Sequence, residues 1–168
     1  VTIVGEIIID KYIFGKIIGK SSKEPYLVFK ENVSEIYAGG SAGIARNLSS
    51  FAKSITVISF VGKEFNKKNI LKKKLEKNIN LDVFVPDKNF PTILKTRFID
   101  QNSNYKMFGS YKIPETKIRN YSEIVRKKIS KIKKTNNNLA IIVDYGHGLI
   151  SEKVVKAVKD KFKFVSLN

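Results

Sequence analysis

The stretch YAGGSAGIARNL, residues 37–48, sets the glycine pair Gly39-Gly40 at the entrance of a helical pattern. Ala45, Leu48 and Ala52 fall on one face of that pattern. A glycine-rich helix entrance has two ordinary uses. Free backbone N–H groups and the helix dipole can cradle a phosphate there, or the pair can make a turn that packs the helix closely on a sheet. Spacing weighs against a nucleotide cradle. Gly39-Gly40-x-x-Gly43 is not Gly-x-Gly-x-x-Gly, and no Gly-x-x-x-x-Gly-Lys-Ser/Thr occurs in the chain. The stretch also follows a run of strand-like pieces instead of the first strand.

Outward from this point, strand and helix patterns alternate. Short Ile- and Val-rich runs at 2–9, 55–60, 81–85, 139–143 and 162–167 read as strands covered on both faces. Helical patterns lie at 41–53 and at 66–77, the latter carrying Leu71 and Leu75. Two more are marked by Val125, Ile129 and Ile132 and by Val154, Val155 and Val158, with Ser151 as N-cap. This order predicts an α/β fold on a mostly parallel sheet. Two regions, 11–37 and 91–112, break the rhythm with strand-like pieces at 12–18, 26–30, 92–99 and 105–111. They predict antiparallel strands set apart as a flap, or lid, over the strand ends where open α/β sheets bind ligands. The Asn run at 136–138 reads as a loop.

With 168 residues and 42% hydrophobic content, the chain can fill one real core. It has no cysteine, which excludes a disulfide framework and a thiolate metal site. Without an 18-residue apolar run or a leader, the expectation is a soluble, cytoplasmic protein with no membrane partner. The net charge of +17 invites a nucleic-acid reading. Arginine, however, occurs only at Arg46, Arg97, Arg119 and Arg126, and the lysines travel with Ile and Asn as an AT-rich genome would give. Lys72-Lys73-Lys74, Lys127-Lys128 and Lys133-Lys134 lie in helical patterns, where solvated faces are expected. Nucleic-acid binding is therefore the disfavoured class. An apolar run begins at Val1 and a strand pattern ends the chain, so a piece of a longer protein is expected.

Two further clusters hold candidate chemistry. Asp10 closes the apolar run of Gly5-Glu6-Ile7-Ile8-Ile9, where a carboxylate can accept hydrogen bonds from polyol hydroxyls or simply cap a turn. Asp144-Tyr145-Gly146-His147-Gly148 follows the 139–143 run and is placed at the same sheet edge as Asp10. His147 is the single histidine, and neither a Ser/Asp triad nor a second metal ligand accompanies it.

In order and spacing, these segments resemble the N-terminal part of the PfkB/ribokinase carbohydrate kinases, nearest the heptose-7-phosphate kinase branch of ADP-heptose synthesis. GEIIIDKY (5–12) is similar to Gly-Asp-x-x-x-Asp-Arg-Tyr, and EPYLV (24–28) falls where the Glu-x-Pro-x-x-Val flap strand lies. GGSAGIARNLSSFA (39–52) resembles Gly-Gly-x-Ala-Asn-x-Ala-x-Asn, and FVGKE (60–64) resembles Val-Gly-x-Asp/Glu. TILKTRFI (92–99) follows Thr-x-x-Lys-Thr-Arg-x-Ile, and VDYGHGLIS (143–151) resembles Ser-Asp-Tyr-x-Lys-Gly-x-Leu.

The resemblance implies a ribokinase-like three-layer α/β/α fold with a β-flap, present over 1–168 as an incomplete, acceptor-binding N-terminal part. It also implies phosphoryl transfer from ATP, with Mg, to a sugar or sugar-phosphate hydroxyl. Asp10 would then bind a hydroxyl, and Gly39, Gly40, Ser41, Gly43 and Asn47 would form the sugar side. Lys95 and Arg97 would meet a phosphate or acidic group, and Asp144 and Tyr145 would border the substrate. The family's catalytic base lies in a downstream Gly-Ala-Gly-Asp motif beyond Asn168, so the fragment alone is expected to be inactive. A homodimer through the flap and a fused nucleotidyltransferase domain are implied as partners.

Four positions depart from the pattern. Gly43 stands for its Asn, Glu6 for its Asp and His147 for its Lys, and KMFGSYK (106–112) lacks its Arg-x-Asp. The departures at Gly43 and His147 motivate the alternative of a non-catalytic sugar-phosphate-binding or regulatory module on the same fold.

Overall fold

The computed structural model describes residues 1–68, 74–114, 121–133 and 138–168. Its main sheet has five parallel strands in the order β5-β4-β1-β8-β9, from β1 (Thr2–Gly5), β4 (Ile55–Phe60), β5 (Ile79–Phe84), β8 (Leu139–Val143) and β9 (Phe164–Leu167). Alternation along each strand sorts the core into two halves. Ile3 and Val57 point to α1 (Ser41–Leu48), where Ala42 and Ala45 are fully buried. Val4, Ile58 and Ile142 point the other way, to α3 (Ser122–Ser130) and α4 (Glu152–Lys161), against Val125, Ile129, Val154 and Val158. Each buried aliphatic side chain contributes roughly 1.5–3 kcal/mol. The result is three layers on a parallel sheet; the alternating pattern predicts the sheet, and the family resemblance implies the layering.

Ser151 caps α4 in extended geometry, its side chain accepting from the Val154 N–H. The helix expected at 41–53 ends sooner, at Leu48. Ser49 bonds the Arg46 carbonyl with its hydroxyl, the local competition that makes serine a poor helix-interior residue. The pattern expected at 66–77 begins earlier, as α2 (Lys63–Lys68). Leu71, Lys72 and Lys73 lie outside the described residues, as do Arg119, Lys134 and two of the three Asn residues at 136–138. Lys127 and Lys133 are exposed, whereas Lys128 pairs with Asp82 of β5.

The flap is a second sheet in the order β3-β2-β6-β7, from β2 (Ile7–Lys20), β3 (Leu27–Gly40), β6 (Ile93–Asp100) and β7 (Lys106–Lys112). It differs from expectation in three ways. The apolar run at 2–9 is not one strand: it breaks at Glu6, and Ile7 already belongs to the flap. Gly39 and Gly40 are not a turn but the end of β3, paired with Ile8 and Ile7. The flap therefore reaches beyond 11–37 at both ends. It is also mixed, because β2 and β6 run parallel from Ile8↔Ile93 to Gly15↔Asp100. β2–β3 and β6–β7 are each antiparallel pairs. Two separate excursions leaving the main sheet in the same sense bring their first strands together side by side, and hairpin connection constrains only the partners within each excursion. On the flap face carrying Phe98, its ring stacks on Phe108 at 4.3 Å with Phe29 edge-on. The strand at β9 is not covered on both faces: Phe164 and Leu167 are 53% and 69% exposed at the sheet edge. Among the described residues no helix is long and apolar enough to cross a membrane.

Candidate functional site

Asp10 lies within β2, not at a strand end, and register decides its neighbours. It faces Tyr37 on β3 and Lys95 on β6, while Tyr12, two residues on, faces Glu35 and Arg97. Side chains two apart share a face. One flap face thus collects Asp10, Tyr12, Glu35, Tyr37, Lys95 and Arg97.

Arg97 donates from Nη1 to Asp10 Oδ1 at 2.5 Å, with both side chains about four-fifths buried. Burial works against the Arg97 cation, but the hydrogen bond and charge of Asp10 outweigh it and raise its pKa. The guanidinium also sits 5.4 Å from the Tyr12 ring centroid, and Lys95 Nζ sits 5.8 Å from that of Tyr111. Tyr12 meets Tyr37 edge-on, and Tyr37 donates to Glu35 Oε2 at 2.5 Å. A cleft of about 410 Å³ opens here, lined by Asp10, Tyr12, Phe14, Glu35, Tyr37 and Ile99.

The glycine pair forms one wall. A Cβ on Gly39 would collide with Asp10 Oδ2, so the second carboxylate oxygen lies directly over bare backbone. Gly40 adopts φ 60°, and a side chain there would strike the Glu6 carbonyl oxygen. At Gly43 the backbone leaves room, with the Ala38 oxygen 3.5 Å from an added Cβ.

Glu6 joins the two sheets. Its side chain is fully buried, and its two oxygens accept separate amides of the loop after β8: Tyr145 N–H at 3.0 Å and Leu149 N–H at 3.1 Å. Its carbonyl accepts the Ser41 N–H at the α1 entrance, 2.9 Å away. The Tyr145 phenol has its pKa raised, first by burial and then by the Asp10 and Glu6 charges. His147 is held below its ordinary value, first by burial and then by Lys95, against opposition from Glu6 and Asp144.

Of the residues expected at the site, Asp10, Gly39, Gly40, Lys95 and Arg97 come together, with Tyr145 close enough to feel the Asp10 charge. Ser41 turns away: its buried hydroxyl donates to the Gly5 carbonyl at 3.0 Å. Asn47 is exposed, six residues along α1 and so about 9 Å from its entrance. Asp144 is exposed and folds back to accept the Gly146 N–H. Tyr12, Tyr37 and Tyr111 were not anticipated; continuing the alternation through Asp10 would have found Tyr12.

Chemically, the face offers a carboxylate oxygen to a hydroxyl and two cations to an anion, with aromatic rings as walls. The family description of pfkB carbohydrate kinases matches residues 1–141. The chain is 25% identical to bifunctional protein HldE of Nitratiruptor sp. over 94% of its length and 33% of that protein. It is 25% identical to D-beta-D-heptose 7-phosphate kinase of Bordetella bronchiseptica over 94% of its length and 49% of that protein. It thus spans a third to a half of these relatives. Phosphofructokinase-2 of Escherichia coli, complexed with fructose-6-phosphate, superposes with a TM-score of 0.63 at 12% identity, covering 99% of this chain and 52% of that one. Arabidopsis thaliana ribokinase, complexed with ribose and ATP, gives 0.56 at 17% identity over 99% and 52%. A match across most of the chain, joined to the flap and sheet built here, places this protein in the pfkB family of carbohydrate kinases.

Proposed function

We propose that the chain forms the acceptor-binding part of an ATP-dependent carbohydrate kinase whose substrate is a sugar or sugar phosphate, foremost a heptose phosphate. The observation that carries this is the arrangement at Asp10. Arg97 holds one carboxylate oxygen, and the other lies over the bare Gly39 backbone, where a hydroxyl can approach. Lys95 and Arg97 sit one and three strand positions from Leu94 along the same flap strand and suit a phosphate on the same ligand.

Phosphoryl transfer depends chiefly on positioning and charge stabilisation. These residues orient the acceptor: Asp10 fixes a hydroxyl, the tyrosines wall the cleft, and the cations hold the anionic end. ATP, with Mg, would supply the phosphoryl group. Among the described residues no three His, Asp or Glu side chains converge to hold a cation, and no residue of this chain is assigned to Mg. In the longer protein, the same reading includes a cytoplasmic location, a fused nucleotidyltransferase domain, and a homodimer through the flap, where Ile18 and Leu27 are 57% and 61% exposed.

The test is calorimetry and phosphate transfer with the whole protein, using heptose 7-phosphate. Asp10→Asn removes a charge-assisted bond worth roughly 1.5–3 kcal/mol, so affinity falls about 10- to 150-fold. Unchanged binding in that variant overturns the assignment. Binding without ATP consumption favours the second reading, a non-catalytic module, which Gly43 in place of the family's Asn supports.

A further inference from the structure

His147 has a polar atom with nothing to do. Among the described residues, its Nε2 is the buried side-chain atom without a hydrogen-bond partner. The backbone around it is closely set. Glu6 tethers the loop on either side, at Tyr145 and Leu149. Gly146 and Gly148 flank the ring at φ 75° and 86°, left-handed conformations that turn the chain sharply and suit glycine.

Three charged groups act on the ring: Lys95 from β6, Glu6 from the β1–β2 junction, and Asp144 from its own loop. Burial and the Lys95 cation favour the neutral imidazole, and the two carboxylates oppose them. A ring nitrogen without a partner, in the field of the Lys95 cation, is a place short of one negative charge. An anion at Lys95 would cancel the repulsion and give a protonated ring nitrogen an acceptor.

We propose that His147, a partly buried residue, swings its buried Nε2 out to join Lys95 in holding the anionic group of the acceptor, so that the ligand and one proton are taken up together. The proton comes from solvent and stays on the imidazole, and no covalent bond changes. The inference rests on the acceptor-site reading above and adds a residue that sets its preference for anionic ligands.

His147 is the single histidine of these 168 residues, and in the whole protein its ring C–H resonance is the one that disappears in His147→Gln. The experiment titrates that resonance in the whole protein, free and saturated with heptose 7-phosphate or with sulfate, which does not itself titrate near neutrality. The titration midpoint should lie below 6.5 in the free protein and rise by about a unit or more on saturation. Sulfate affinity should strengthen as pH falls, approaching about tenfold per unit between the two midpoints. His147→Gln should remove that slope, while His147→Lys should keep affinity without it, an outcome that a merely structural histidine would not give.

Heptose phosphate binding with an unmoved histidine overturns this inference and leaves the acceptor reading standing. Sulfate alone moving the midpoint supports the inference while the sugar reading falls. Binding of neither overturns both.

Discussion

Glu6→Gln is the most exacting perturbation of this architecture. The carboxylate is fully buried and each oxygen accepts one amide, Tyr145 N–H at 3.0 Å and Leu149 N–H at 3.1 Å. Glutamine keeps the shape but has one acceptor oxygen, so its NH₂ must face the second amide, donor to donor. Two charge-assisted bonds of roughly 1.5–3 kcal/mol each become one neutral bond of roughly 0.5–1.5 kcal/mol. Those values are already net of desolvation, so the cost of burying the charge is not counted again. The expected loss is about 3 kcal/mol, or roughly 6–12 °C in melting temperature for a chain of this size. Urea unfolding reads the energy, and hydrogen exchange reads the place: the amides of Tyr145 and Leu149 should exchange faster than those of β1. Glu6→Asp, one methylene shorter, should reach only one amide and fall between. A Gln variant within about 0.5 kcal/mol of the native protein, with both amides still protected, would refute the clamp.

Two smaller tests address the helix entrances. Ser151→Ala removes the cap at the start of α4 and should cost about 1 kcal/mol in urea unfolding. Gly40→Ala and Gly43→Ala, only three residues apart, should have opposite signs. The first forces a methyl into a left-handed position and against the Glu6 carbonyl, losing more than about 2 kcal/mol. The second adds a good helix former where only the Ala38 oxygen is near and should gain about 0.5–1 kcal/mol.

The sheet and its helices were legible because periodicity reports burial directly. Ile129 and Ile132, or Val155 and Val158, spaced by three, share a face on a helix but not on a strand, and all four pack in one core cluster. The flap was legible as strands but not in its pairing. The two hairpins are local, but the pairing that joins them, β2 with β6 from Ile8↔Ile93 to Gly15↔Asp100, links distant segments and leaves no local trace. The break at Glu6 was hidden for a related reason. The run from 2 to 9, apolar but for Thr2 and Glu6, looks the same whether one sheet or two receive it. Side-chain direction was the least legible feature. Ser41 stands inside the glycine signature, yet its hydroxyl is committed to the Gly5 carbonyl.

Glu6 shows where a departure from a family pattern carries more information than a match. The longer carboxylate at the opening Gly-Asp position reaches two amides of the loop after β8, while its own carbonyl receives the first amide of α1. One residue at the junction of two sheets therefore fixes both the glycine wall beside Asp10 and the loop that carries Tyr145 and His147. A buried carboxylate is costly unless its lone pairs are satisfied, and here the satisfying donors belong to the site. Stability at this point and geometry at the Asp10 face are the same set of hydrogen bonds. A change at Glu6 should consequently register in unfolding and in ligand affinity together, whereas the Ser151 cap, outside that set, should register in unfolding alone.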